Sequence, residues 1–245
     1  MDPLFIVRVA TVLSLMFCFC VRSAGANPRI DPDATSNGAC NGPTAKCQIF
    51  VTHGPARGET AYVFASWWSQ SVGLAAIPLI DDCQQHNTFK MLSGPDHAPG
   101  GALSTALFVT NVSTCSFTSL TVSLSAPVTG GFDAIFAQVV SISGLEPDST
   151  DMSTLKAQPG NGPSLNVTSG MPSVPNEMIW GIWLFDGPVS PYETGRGYTS
   201  VLTGEAVSLS EYKNISEAAP QKATAASAAG AHWVAYAIGF KIRSD

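Results

Sequence analysis

Charge is what this sequence has least of. Only 12% of its 245 residues are Asp, Glu, Lys or Arg, about half of the roughly 25% usual in soluble domains. Twelve basic residues face eighteen acidic ones, a net charge of −6, and no basic cluster occurs. Nucleic acid and anionic membrane surfaces are therefore excluded as expected partners. Past the N-terminus no apolar run nears the about 20 residues that span a bilayer, so no membrane span is expected. Also missing are a G-x-S-x-G elbow, an H-E-x-x-H pair and a glycine-rich phosphate loop, the signatures of several hydrolases and nucleotide enzymes.

The N-terminus carries the clearest signal. Arg8 precedes an apolar stretch, Val9 to Val21, broken only by Thr11 and Ser14, and Ala24-Gly25-Ala26 follows. A positive start, a short apolar middle and a small-residue exit make a secretory signal peptide. Residues 1–26 are expected to be removed and the mature chain to begin at Asn27. Arg8, Arg22 and Asp2 leave with the signal, so the mature protein is more acidic still.

Cys18 and Cys20 leave too. Cys40, Cys47, Cys83 and Cys115 remain, an even number that predicts two disulfides in an oxidising compartment. Three pairings are open. Cys40–Cys47, closing a Gly/Pro turn, and Cys83–Cys115, tying two strand-end loops, form the favoured set. A zinc site of four thiolates would want a C-x-x-C pair, which the chain lacks.

Residues 27–46 are polar and aperiodic and read as a flexible leader. From 47 to 245 short β-type runs recur between turn signals. They are Gln48–Thr52, Thr60–Trp68, Ala75–Ile80, Thr88–Leu92, Leu103–Thr110, Thr118–Leu124, Phe132–Val140, Ser164–Thr168, Met178–Phe185, Tyr198–Thr203, Leu209–Tyr212 and Trp233–Lys241. In Thr118–Leu124 and Trp233–Lys241 apolar residues alternate, as in strands with one buried face. The alanine-rich stretch 218–231 reads as an edge strand plus turn. The expected fold is all-β: one domain, without internal repeat, built as a two-sheet antiparallel jelly-roll-like sandwich.

The segments IDDCQQHNTFKML, TSLTVSLSAP, FDAIFAQVVSISGLEP and AHWVAYAIGFK resemble an uncharacterised β-sandwich module of bacterial secreted and cell-surface proteins. Asp82, Asn87, Thr88 and Phe89 match its turn, and Trp233, Ala235, Phe240 and Lys241 match its closing strand. His86 replaces the turn glycine and Cys83-Gln84-Gln85 lengthens it. The resemblance implies a jelly-roll-like fold with an adhesive or scaffold role and supplies no catalytic residue.

Candidate chemistry is sparse. Glycoside hydrolysis needs two carboxylates across a cleft. Glu177, Asp186 and Glu205 are available, but the first two bracket a strand about 30 Å long. Asp81, Asp82 and Asn87 could hold Ca²⁺ through oxygen, His86 and His97 could hold a transition metal, or the turn could simply cap its own backbone. Trp67, Trp68, Trp180 and Trp183 could offer a sugar platform, each pair pointing to opposite faces of its strand. Asn111, Asn166 and Asn214 open N-glycosylation sequons. The expected function is a secreted, non-enzymatic structural or adhesive protein that self-assembles or binds an extracellular polymer. The alternatives are a carbohydrate-binding module and a glycoside hydrolase.

Overall fold

Alternation of apolar and polar side chains dominates this chain, and strands dominate its fold. The computed structural model describes residues 28–52, 54–83, 86–110, 113–128, 134–187, 192–201, 207–227 and 230–243. The expected signal peptide therefore lies outside the described residues. Among them are sixteen strands and no helix.

The first eight strands are β1 (Arg29–Cys40), β2 (Thr44–Phe50), β3 (Thr60–Trp68), β4 (Leu74–Asp81), β5 (Lys90–His97), β6 (Leu103–Thr110), β7 (Ser119–Val128) and β8 (Ile135–Ser143). They form a five-stranded sheet, β1-β8-β3-β6-β5, and a three-stranded sheet, β2-β7-β4. The next eight are β9 (Leu145–Asn161), β10 (Ser164–Thr168), β11 (Glu177–Phe185), β12 (Tyr192–Glu193), β13 (Thr199–Ser200), β14 (Ser208–Asn214), β15 (Lys222–Ser227) and β16 (His232–Ile242). Their sheets are β9-β16-β11-β14-β13 and β10-β15-β12. Every strand of the second set sits where the strand eight places earlier sits in the first. All pairings are antiparallel.

The repeat reaches individual residues. The Ala56 N–H donates to Glu59 Oε2 (2.9 Å), and the Val174 N–H donates to Glu177 Oε1 (3.4 Å). Gly58 and Asn176, each just before its glutamate, both have positive φ, +91° and +63°. The Glu59 and Glu177 carbonyls both accept a backbone N–H at 2.8 Å, from Ser113 and Ile215. The sequence showed no internal repeat because topology demands only alternation and turn geometry, not identity. TAYVFASWW and EMIWGIWLF do the same work in β3 and β11.

Three cores stack the sheets into four layers. Ile49, Leu120 and Val122 of the first outer sheet pack on Val63, Phe108 and Val139 of the first inner sheet. The other face of that sheet, with Tyr62, Phe64 and Val140, meets Trp180, Ile182, Tyr236 and Phe240 of the second inner sheet. Trp183, Leu209 and Ala235 then meet Leu165, Val167 and Ala223 of the second outer sheet. The all-β antiparallel sandwich is as expected, and the chain makes two sheet pairs rather than one.

Two expectations are corrected. The segment read as a flexible leader, 27–46, supplies β1 and the start of β2, with β1 paired along β8. The alanine-rich segment supplies β15, which lies between β10 and β12 and is not an edge. The disulfides are Cys40–Cys47, with Cα atoms 5.5 Å apart, and Cys83–Cys115, at 6.2 Å. The first closes the turn at Gly42, whose φ of +80° suits a residue without Cβ.

Candidate functional site

The tryptophans point to opposite faces, as alternation requires, and three of the four are covered. Trp67, Trp180 and Trp183 are fully buried and Trp68 is half-buried. Trp67 lies in the first core, Trp180 in the middle one and Trp183 in the third. The Trp67 indole N–H donates to the Val72 carbonyl at 2.7 Å. Trp67, Trp180 and Trp183 are core packing and offer no sugar platform, whereas Trp68, at the end of β3, belongs to none of the three cores.

The Asp81–Asn87 turn clasps itself. Asp81 Oδ2 accepts from the Asn87 backbone N–H (3.0 Å) and side-chain amide (2.5 Å), while Oδ1 faces His86 Nδ1 at 3.2 Å. Asp82 accepts from the Thr118 N–H (2.8 Å) and hydroxyl (2.6 Å). Asn87 Oδ1 accepts from the Thr114 N–H at 2.7 Å, and its amide donates to the Cys115 carbonyl at 3.0 Å. These oxygens face donors, so the calcium expectation gains no support from the geometry. The network instead splints the Cys83–Cys115 link. His97 lies apart, with Nδ1 2.8 Å from the Ser104 hydroxyl.

The carboxylates considered for hydrolysis do not converge. Glu205 lies outside the described residues. Glu177 opens β11 and is buried beside Asp151. Burial, then the neighbouring Asp151 carboxylate, raises the Glu177 carboxyl to about 7. Burial also pushes Asp151 up, but hydrogen bonds from Ser153 and Ser173 outweigh it and hold that carboxylate well below its usual range. Glu177 Oε2 has no N–H or hydroxyl donor, so a proton on Glu177 that Asp151 accepts satisfies both.

Asp186, just past the other end of β11, holds His232. Its Oδ2 lies 2.6 Å from His232 Nδ1 and its Oδ1 accepts the His232 backbone N–H at 3.1 Å. The pair borders a cavity of about 430 Å³ with Asn161, Gly162, Gly187 and Gly230. Among the described residues no serine, threonine or cysteine lines it, and no third His, Cys, Asp or Glu joins the pair.

A polar groove lies on the outer face of β10-β15-β12. Leu165, Val167, Ala223 and Ala225 point into the third core. Their neighbours point outward in register: Ser164 opposite Ala226, Asn166 opposite Thr224 and Thr168 opposite Lys222. Glu193 of β12 pairs with Ala226 at the far edge. A cavity of about 390 Å³ opens over this face, lined by Asn166, Glu193, Gly195, Arg196, Lys222 and Thr224.

The Arg196 turn is held from below. Buried Glu211 accepts the Gly195 N–H at 2.7 Å, and the Tyr198 N–H closes back on the Gly195 carbonyl at 3.1 Å. A Cβ at Gly195 would stand 2.3 Å from the Thr224 carbonyl oxygen, so only glycine permits the approach. Burial raises Glu211 to about 7, and burial, then that carboxylate, raises Tyr198 to about 12.

Of the sequons, Asn111 lies outside the described residues, Asn166 sits in the groove and Asn214 is exposed at the end of β14. The groove was missed in the sequence. Its signal, period-2 polarity in SLNVT and KATAAS, is present, but nothing there pairs two segments so far apart.

No family model, curated protein or solved structure matches the chain.

Proposed function

We propose that this is a secreted, non-enzymatic extracellular binding protein of the adhesive type, whose recognition surface is the β10-β15-β12 face and whose ligand is a polar carbohydrate. The observation that carries the reading is the groove. Amide, hydroxyl, carboxylate, ammonium and guanidinium groups stand over a rigid sheet, spaced by strand register. Sugars present hydroxyls at similar intervals, and rigid placement lowers the entropy lost on binding. The two disulfides fit an oxidising compartment, and the N-terminal pattern fits export. Each half, by its strand order, would be a jelly-roll-like unit of the kind the bacterial surface-module resemblance implies.

The test is a glycan array probed with mature protein made without N-glycans, because Asn166 lines the groove. Binding to a discrete set of glycans, lost in Arg196→Ala/Lys222→Ala, supports the reading. A blank array, or binding indifferent to those changes, contradicts it. Secreted material should begin at Asn27 by intact mass, and a species retaining residues 1–26 would contradict export by cleavage.

A further inference from the structure

The chain has six arginines, two of them, Arg8 and Arg22, in the segment read as an export signal. Three of the other four meet at one corner, where the first half adjoins the start of β9 and the end of β16. Arg57 and Arg243 line a cavity of about 310 Å³ with Gly58, Ser143 and Gly144. Arg29, on β1, is the register partner of Ser143. All three are exposed, and among the described residues none forms an ion pair, both ion pairs there being made by histidines.

The carboxylate in the cavity wall is already engaged. Glu59 also lines the cavity, but its Oε2 accepts the Ala56 N–H at 2.9 Å and the Ser141 hydroxyl at 2.8 Å. Glu146, half-buried, follows Leu145 on β9. Of the charged side chains that line the cavity among the described residues, two are arginines and the one carboxylate, Glu59, is already engaged.

The duplication supplies an internal control. In the second half Asn176 stands for Gly58 and Glu177 for Glu59, while Arg57 gives way to Pro175. The fold is thus built without an arginine at that position. Clustering like charges opposes folding, so the cluster calls for a reason outside the fold.

We propose that this corner is an oxyanion site that takes the sulfate or carboxylate group of an acidic sugar. Guanidinium forks pair such groups through two parallel hydrogen bonds. The apolar residues of the wall, Ile142 and Leu145, are themselves buried, so the cavity offers no surface for an acyl chain. The negative net charge opposes long-range attraction of a polyanion. Recognition therefore acts at contact range, inside the Debye length of about 8–10 Å. This site shares no lining residue with the β10-β15-β12 groove, and the two can fail separately.

The experiment is affinity electrophoresis of the mature chain through gels holding sulfated dextran, polygalacturonate or neutral dextran, with free sodium sulfate and free galacturonate as competitors. Retardation by an anionic polymer and not by neutral dextran is expected. Whichever of sulfate or galacturonate competes identifies the group. Arg57→Gln/Arg243→Gln should weaken retention at least tenfold with an unchanged melting temperature, and Arg57→Lys/Arg243→Lys should fall between. Lys46→Gln, at an exposed cation that lines neither cavity, should change nothing. Retention of the Gln double variant equal to that of the wild type, no retention by either anionic polymer, or binding of free sulfate alone would each overturn the proposal.

Discussion

Glu177 and Asp151 are two acids in one buried place, and their chemistry sets a pH dependence. Burial and the neighbouring carboxylate raise Glu177 to about 7 in the folded protein, against an ordinary value near 4.3. A raised acid favours the folded state while it keeps its proton. The contribution is complete below the ordinary value and is lost as pH rises through about 7. Glu211, also raised to about 7, acts in the same direction. Asp151 acts oppositely, but only as pH falls below the usual carboxylate range. The melting temperature should therefore drop on going from pH 5 to pH 8, by on the order of 4 °C or more. Glu177→Gln, which keeps a donor for Asp151 without a titrating proton, should reduce that drop, and scanning calorimetry at the two pH values measures it. The Cys83–Cys115 link can be argued at the same scale. It closes a loop 32 residues apart in sequence, worth about 3–4 kcal/mol by chain entropy. A Cys83→Ser/Cys115→Ser variant should lose about that much in urea unfolding.

At the scale of elements, β16 is the most connected strand, paired along β11 on one side and β9 on the other. Val234, Tyr236, Ile238 and Phe240 all face the middle core, as their alternation predicts. The Phe240 ring sits 4.1 Å from that of Tyr62 and 6.2 Å from that of Trp180. Phe240→Ala should cost about 3–5 kcal/mol and sharply reduce the yield of folded protein. Thr121→Ala, on a polar outer face, should cost under about 0.5 kcal/mol. Strands that are buried on a face were legible: β3, β6 and β10 begin and end where their patterns do. β1 and β9 were not. Both are edges of their sheets, carry prolines (Pro32, Pro147, Pro159) and show no apolar stripe, which edges tolerate and sequence reading takes for loop. The tryptophans misled for a related reason. Period 2 separates two faces, but it does not say that a further sheet covers each one.

Across the whole molecule, the two halves depend on each other through the middle core. Separated, each would expose large side chains now fully buried there, Tyr62 and Phe64 on one half, Trp180 and Phe240 on the other. Residues 28–143 alone should therefore bind hydrophobic dye and lack a cooperative melt, while the whole mature chain melts in one transition. The two outer faces are not alike. The β2-β7-β4 side carries exposed Phe50 and Ile80 among Thr and Ser, whereas the β10-β15-β12 side is polar and grooved. Recognition by that polar face is the central claim, and titration calorimetry with a glycan selected on the array tests it most directly. Ala226→Trp adds bulk over the groove without touching a core, so it should abolish the binding heat and leave the melting temperature unchanged. Full binding by the filled variant would place recognition elsewhere and contradict the account.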